Sequence, residues 1–224
     1  MKIVITGSEG LIGRQLVKDL SMKYEIIKLD LKFGHDLNDE KFILDFFKKN
    51  KPIHGLIICH GLNPQKNSKS NNNPLTLSIN SINQYLETNL ISPFNLCRYF
   101  IKNNKKGKII TISSLYGMIS PMHFLYEDSF KHIGYCMSKS SIIMMTKYLA
   151  TLYAKKFNIN SVVLGGVINK KINNKFLKNY SMMSPQKRMM TSKETSGIFE
   201  YLLSEKSSYT NGGVFTIDGG WTSW

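Results

Sequence analysis

KIVITGSEGLIG, residues 2–13, runs from a short apolar segment into a turn carrying Gly7, Gly10 and Gly13. Beyond the turn, Leu11, Ile12, Leu16, Val17 and Leu20 recur at helical spacing. The stretch reads as strand, glycine turn, helix. Such a turn lets backbone approach a pyrophosphate closely, and the helix N-terminus adds N–H donors and a positive dipole end. The spacing is G-x-x-G-x-x-G rather than G-x-G-x-x-G.

Working outward, Tyr24 to Leu29 reads as a second strand that ends at Asp30. A carboxylate there can accept from both ribose hydroxyls of an adenosine and would repel a 2′-phosphate, which favours NAD over NADP. Lys32 stands close enough in sequence to leave NADP open. Asp36 either meets the adenine or caps the helix that begins near Asp39 and runs to Lys49. Further strands are expected at 55–59, 108–113, 159–164 and 213–217. Helices are expected at 82–103, from Tyr135 to about Lys156, and from a cap at Thr191 or Ser192 to Leu203. Residues 63–78 and 165–190 read as loop. Continuous apolar strands that alternate with helices predict an α/β fold, a doubly wound parallel sheet of the Rossmann type with helices on both faces. No repeat or linker interrupts the pattern, so residues 1–224 are expected to form a single domain.

Composition narrows the function classes. Hydrophobic residues make up 42% of 224, ample for a core. No apolar run reaches the roughly 18 residues of a membrane span, and the N-terminus lacks a signal-peptide cleavage pattern. Cys59, Cys97 and Cys136 are odd in number and have no metal-ligand spacing, which points to reduced thiols, a cytoplasmic location and no metal. The formal net charge is +15, yet 27 of the 30 basic residues are lysine. Arginine is the usual reader of bases, so no nucleic-acid partner is expected. The charge reads as a solvated, lysine-rich surface that also attracts anionic small molecules.

Tyr135 and Lys139 stand four apart, so on a helix a phenol and an ammonium share one face. Bringing a tyrosine from its usual pKa of about 10 to near 7 takes roughly 4 kcal/mol, part of which a fixed cation supplies. Ser114 ends the strand before them and offers a hydroxyl to a substrate oxygen. Together these groups suit moving a proton on or off an alcohol or carbonyl. The tyrosine–lysine pair alone is also what an ordinary amphipathic helix presents.

With these residues in place, the chain resembles the short-chain dehydrogenase/reductase family over essentially its whole length. The resemblance rests on TGSEGLIG (6–13), Asn89 in ETNLISPF (87–94), ITISS (110–114), YCMSK (135–139) and IDGG (217–220), all in the family's order. It implies that Tyr135 is the acid/base and that Ser114 orients the substrate oxygen. Lys139 would lower the tyrosine pKa and hold the nicotinamide ribose. Asn89 would keep a helix kinked around a water that links Lys139 to solvent. It implies an NAD(H) site, NADP not excluded, formed by Gly7, Glu9, Gly10, Leu11, Ile12, Gly13, Asp30, Asp36, Leu37, His60, Gly61, Tyr135, Lys139, Gly165 and Val167. It further implies a homodimer or homotetramer assembled through the helices that hold Asn89 and Tyr135.

The departures carry information too. The glycine spacing is similar to that of the family's larger, sugar-nucleotide-modifying branch. Cys59-His60-Gly61 stands where Asn-Ala-Gly is common. Leu164-Gly165 replaces Pro-Gly, and Asn169 is the nearest polar residue to a missing threonine. The gap from Ser114 to Tyr135 is long and holds Pro121, His123, Tyr126, Glu127 and Asp128. With GGWTSW at the end, this half resembles oxidoreductases associated with flagellin modification and with nonulosonic-acid or surface-polysaccharide biosynthesis.

The expected substrate is therefore an anionic carbohydrate, a sugar phosphate or nucleotide sugar. Tyr116, His123 and Glu127 would line its pocket with His132 nearby, and Arg188 would grip a phosphate. Residues 165–190, with Lys170, Lys171, Lys175, Lys178 and Lys187, would form a cationic substrate loop. Alternatives are a carrier-linked 3-oxoacyl reductase, which Met182, Met183, Met189 and Met190 suit, and a non-catalytic dinucleotide-binding protein. The set Asn89–Ser114–Tyr135–Lys139 argues against the last.

Overall fold

The computed structural model describes residues 1–63, 72–126 and 129–224. Its strands are β1 (Lys2–Thr6), β2 (Glu25–Leu29), β3 (Gly55–Ile58), β4 (Gly107–Ser114), β5 (Phe157–Leu164) and β6 (Val214–Ile217). Its α-helices are α1 (Leu11–Leu20), α2 (Glu40–Lys49), α3 (Ile79–Leu86), α4 (Ser92–Asn103), α5 (Ile133–Tyr153), α6 (Asn174–Met183) and α7 (Ser196–Leu203). The strands form one parallel sheet in the order β2-β1-β3-β4-β5-β6. The chain winds one way from β1 to β2 and the other way from β3 onward. The C-terminal ends of β1 and β3, where Thr6 pairs with Ile58, therefore border a crevice at the topological switch.

The apolar strands are buried on both sides because both sides carry helices. Val4, Leu56, Ile58 and Ile109 pack with Phe47, Leu96 and Phe100 on the face of α2 and α4. Ile3, Ile5, Ile57 and Ile110 pack with Leu16, Leu20, Phe199 and Leu203 on the face of α1 and α7. A third cluster lies beyond the strand ends and joins Tyr85, Leu115, Tyr116, Leu125, Tyr135, Tyr180 and Trp221. Among the described residues no helix is long and apolar enough to cross a membrane.

The sequence reading and the structure differ at four places. Part of the expected loop at 63–78 lies outside the described residues, and its end is helical. Ser78 caps α3 by accepting from the Ser81 N–H at 3.2 Å, so the helix starts at Ile79 rather than Ile82. The expected helix to Asn103 is interrupted by a π-helical turn, Glu87–Ile91. Residues 165–190 are not wholly loop. Asn173 accepts from the Phe176 N–H at 2.7 Å and starts α6, whose apolar side is too short to stand out among asparagines and lysines. Thr191 does form a capping box with Glu194, but on a short 3₁₀ turn, and α7 follows at Ser196.

Phe100 shows how tightly the layers fit. It is fully buried, edge-on to Phe47 and Phe157 with both centroids at 6.0 Å. A Cβ on Gly107 would come within 2.7 Å of its ring. Phe100→Ala is expected to lower unfolding free energy by about 3–5 kcal/mol. Urea unfolding followed by circular dichroism checks this, and a loss under 1 kcal/mol would mean the site collapses to fill the void.

Candidate functional site

The glycine turn is a backbone cradle. Gly7 has φ +61°, and a Cβ there would lie 2.6 Å from the His60 Cα; one on Gly13 would lie 2.1 Å from the Gly7 carbonyl oxygen. These two positions accept no side chain. Gly10 is the N-cap of α1, which has no capping side chain and no acid in its first turn. Its first N–H groups are thus available to an anion. Leu11 is exposed and Ile12 half-buried at the mouth of this turn. Asp30 lies beside it: its Oδ2 accepts from the Glu9 N–H at 2.8 Å and its Oδ1 from the Lys32 N–H at 3.0 Å. Each oxygen keeps acceptor capacity for a hydroxyl. The Glu9 carboxylate instead pairs with Arg14 at 3.2 Å. The rigid glycine cradle, the uncapped helix and the ribose-range carboxylate fit the pyrophosphate and adenosine of a dinucleotide.

Two residues near the adenosine side serve the backbone. Asp36 accepts from the Asn38 N–H at 2.9 Å, while Asp39 is the cap of α2. Leu37 is buried, and its carbonyl accepts from the Ser92 hydroxyl at 2.5 Å.

His60 joins these parts. Thr6 Oγ1 accepts from the N–H groups of Cys59 and His60 at 3.1 and 3.4 Å, so its own proton goes to His60 Nδ1 at 2.7 Å. Nε2–H then donates to Ser92 Oγ at 3.0 Å. Burial, then the Lys139 charge, lowers the imidazole pKa to about 3, against smaller opposing effects from Asp30 and the Thr88 backbone. The ring is a neutral strut between β1, the β3 loop and the head of α4.

Asn89 lies at the centre of the π turn and is 1% exposed. Its Oδ1 accepts from the Leu62 N–H at 2.6 Å. Its Nδ2 donates to the Leu62 carbonyl at 3.0 Å and to Ser138 Oγ at 3.1 Å. Gly61 leaves room for it: a Cβ there would lie 3.1 Å from Asn89 Oδ1 and 3.7 Å from Lys139 Nζ.

Tyr135, Ser114 and Lys139 converge at the C-terminal end of β4. Ser113 donates to the Lys139 carbonyl at 2.6 Å, and Lys139 Nζ donates to the Ile112 carbonyl at 2.8 Å. Burial lowers the Lys139 pKa to about 8, with Cys59 opposing. Burial also raises Tyr135 to about 12, although a hydrogen bond with Ser114 pulls it down. The sequence-based expectation that Lys139 lowers the phenol is not met in this arrangement: desolvation opposes the phenolate, and the lowering influence on it is Ser114. Lys139 Nζ lies 5.9 Å from the Tyr135 ring centroid.

Of the residues expected to line a substrate pocket, Tyr116 and His123 line a cleft of about 520 Å³ together with Met118, Lys131 and Met137, and Lys131 Nζ lies over the Tyr135 ring. Tyr126 donates to the Tyr116 hydroxyl at 3.0 Å. Glu127 and Asp128 lie outside the described residues. His132 does not line the cleft: it caps α5, stacks on Tyr85 at 4.1 Å and bonds Ser81 Oγ at 2.5 Å. Arg188 departs from its expected role. Its guanidinium forms a fork with Glu194, at 2.8 and 2.6 Å, beneath the Thr191 cap. The carboxylate already takes the bidentate geometry that a phosphate would need. Lys170, Lys171, Lys175 and Lys178 stand exposed, and Lys187 Nζ donates to the Met182 carbonyl at 3.0 Å.

The segment after β5 is tied back on itself. Val167 bridges Met190, and the Gly166 N–H donates to the Tyr180 hydroxyl at 2.8 Å. Gly165 packs on Asp218, and Asn169 forms a turn by accepting from the Lys171 N–H at 2.9 Å. The residues that sequence reasoning missed are Thr6, Ser92 and Ser138, which orient the named groups, and Lys131. Only Lys131 left a trace, as a lysine four before Tyr135.

A family model described as enoyl-(acyl carrier protein) reductase matches residues 7–222. Post-translational flagellin modification protein A of Campylobacter coli is 26% identical over 144 residues, 63% of this chain and 56% of that protein. An NADH-dependent L-xylulose reductase of Ambrosiozyma monospora is 35% identical over 133 residues, 55% of this chain and 47% of that protein. The matches thus span about half the length of these two relatives. Among solved structures, a short chain dehydrogenase from Leptospira borgpetersenii with bound NAD+ superposes with a TM-score of 0.85 at 27% identity. That superposition covers 99% of this chain and 92% of the other.

The neutral His60 predicts a pH dependence. An unfolded histidine binds its proton near 6.5, the folded one only near 3. Between these values the unfolded state holds more protons, so stability is full above 6.5 and falls as pH drops toward 3. His60→Gln is expected to flatten the decline in Tm between pH 6.5 and 5, above most carboxylate titration. Parallel Tm–pH slopes in both proteins would show that His60 does not titrate between the states.

Proposed function

The chain belongs to the short-chain dehydrogenase/reductase family, and on that premise we propose that it is an NAD(H)-dependent oxidoreductase of a carbohydrate secondary alcohol or ketone. The observation that carries this reading is the convergence of Asn89, Ser114, Tyr135 and Lys139 beside the glycine cradle and Asp30. The dinucleotide, when bound, supplies the hydride. The chain supplies placement and the proton. Gly7, Gly13 and the head of α1 receive the pyrophosphate, and Asp30 accepts from the adenosine ribose. Lys139, whose Nζ has one acceptor among the described residues, retains protons for the other ribose and for a water at Asn89.

With its pKa near 12, Tyr135 is a protonated phenol at neutral pH and is ready to donate to a developing alkoxide. Ser114 holds the same substrate oxygen. In the reverse direction Tyr135 accepts the alcohol proton, a step favoured as pH rises. Tyr116, whose hydroxyl accepts from Tyr126, and His123 give the pocket hydrogen-bonding groups, which suit a polyol better than an acyl chain. The resemblance to a flagellin modification protein supports a role in surface-glycan or nonulosonic-acid biosynthesis. Met118, Ile119, Ile133 and Met137 on the same cleft keep a carrier-linked 3-oxoacyl reductase as the second reading.

In this reading residues 1–224 act as one dinucleotide-binding unit in the cytoplasm, with 165–190 as its substrate segment. Met137, Met144, Tyr148 and Leu152 stand exposed along one face of α5, which supports a homodimer or homotetramer through that helix.

Tyr135→Phe is expected to lower kcat by 10²–10⁴-fold, the usual contribution of a general acid, with the Kd for NADH changed less than threefold. Unchanged kcat would remove Tyr135 from the mechanism. NADH is expected to bind more tightly than NADPH, and Asp30→Ala to narrow or reverse the difference, as read by isothermal titration. Tighter NADPH binding to the wild type would refute the cofactor assignment. A higher kcat/KM for acyl thioesters than for ketoses or sugar phosphates would favour the second reading.

A further inference from the structure

Lys131 has no role in the mechanism above, yet it stands against the acid/base. Its Nζ lies 4.1 Å from the Tyr135 ring centroid, closer than Lys139. Its one hydrogen-bond partner among the described residues is the Asn63 side-chain carbonyl, on the loop that Asn89 clasps. No carboxylate among the described residues pairs with it. The side chain is only partly accessible and forms part of the cleft wall with Tyr116 and His123. Burial pushes its pKa down to about 8, and the neighbouring Lys139 pushes the same way.

Two ammonium groups thus flank one phenol, and neither pairs with a carboxylate among the described residues. A partly buried cation held by a ring face and a neutral amide is under-compensated. An anion in the cleft would supply the missing partner, and its charge-assisted bond would be stronger than an ordinary one. Arg188 is taken by Glu194, Lys187 donates to the Met182 carbonyl, and Lys170, Lys171 and Lys178 are exposed. Among the described residues, Lys131 is the lysine that both lines the cleft and lies over the Tyr135 ring.

We propose that Lys131 is the anion-recognition residue of the substrate site, binding a carboxylate or phosphate of the substrate within reach of the Tyr135 hydroxyl. The proposal deepens the carbohydrate reading by placing the substrate's charge at a stated atom, Lys131 Nζ.

The test compares charged and neutral probes on the full chain saturated with NADH. D-ribulose 5-phosphate is set against D-ribulose, and 5-ketogluconate against D-fructose, in wild type, Lys131→Met and Lys131→Arg. Binding is read by titration calorimetry and turnover by NADH absorbance. In the wild type at least one charged probe should bind about 10- to 100-fold more tightly than its neutral partner, the range of a charged hydrogen bond. The pair that responds separates phosphate from carboxylate. Lys131→Met should erase that preference and Lys131→Arg keep most of it, with the NADH Kd within twofold in all three proteins certifying the fold. The proposal is overturned if both wild-type pairs bind equally, if Lys131→Met keeps the preference, or if it weakens charged and neutral probes alike. Anion binding that depends on Lys131 without any NADH oxidation would sink the carbohydrate-oxidoreductase reading and leave the Lys131 site standing. Turnover of neutral ketoses with no anion preference would do the reverse.

Discussion

The Asn89 amide is the contact on which the site depends. A buried amide needs its donors and acceptor satisfied, since each unmade bond costs about 1–3 kcal/mol. Asn89 meets that demand by reaching across to the backbone of Leu62 and to Ser138 of α5. A regular helix does not aim the side chain there; the π turn does. Pro93, four residues on, has no N–H to offer the turn before it, and so removes one of the bonds that would keep that turn regular. The result fixes three elements together: the loop after β3, the helix carrying Asn89, and the helix carrying Tyr135 and Lys139.

Within that frame the electrostatics are set by desolvation. Tyr135 and Lys139 lie on one helix, and burial moves both toward their neutral forms: the phenol up, the ammonium down. Lys139 remains largely a cation at neutral pH, since burial lowers its pKa only to about 8, and it donates to the Ile112 carbonyl. A phenol that is hard to ionise is a proton donor, so the polarity of the acid/base follows from how dry the pocket is. Closing the pocket over a ligand strengthens each remaining charge interaction there. A second ammonium at Lys131 matters more in such a pocket than it would at the surface.

The fold was largely legible because its signals are local. The strands are continuous apolar runs, and the glycine turn carries a steric demand that the structure makes concrete at Gly7 and Gly13. The groups around Tyr135 were legible as a spacing, and Ser114 as the end of a strand. What was hidden depends on distant partners. Nothing near Arg188 announces that Glu194 would claim its fork, although T-x-x-E from Thr191 is a capping pattern in plain view. His132 looks like a pocket residue in sequence, yet Tyr85 and Ser81 from α3 turn it into a helix cap. The π turn was announced only by the kink expected at Asn89 and by Pro93, and α6 was masked by polar residues that suit loops and helix caps alike.

The cleft lined by Tyr116 and His123 is positioned by aromatic packing rather than by the sheet. Asp218 accepts from the Gly220 and Thr222 N–H groups at 2.9 and 2.8 Å and from the Thr222 hydroxyl at 2.7 Å. That turn, with Gly219 and Gly220 at φ +67° and +84°, drives Trp221 into the interior. Its indole stacks on Tyr180 at 4.3 Å, and Tyr180 holds the Gly166 N–H just past β5. The segment 165–190 is therefore set by a chain of contacts beginning at the end of β6. Tyr126 joins the same stack through Phe176 at 5.7 Å and donates to Tyr116 on the cleft wall. A displacement of α6 thus reaches the cleft through two rings and a hydroxyl. Lys139 and Asn89 are anchored separately, by hydrogen bonds to the backbone at Ile112 and Leu62. Tyr135 belongs to the same packed cluster as Tyr116, Tyr180 and Trp221, so a change on the aromatic side reaches the phenol while Lys139 and Asn89 keep their backbone anchors.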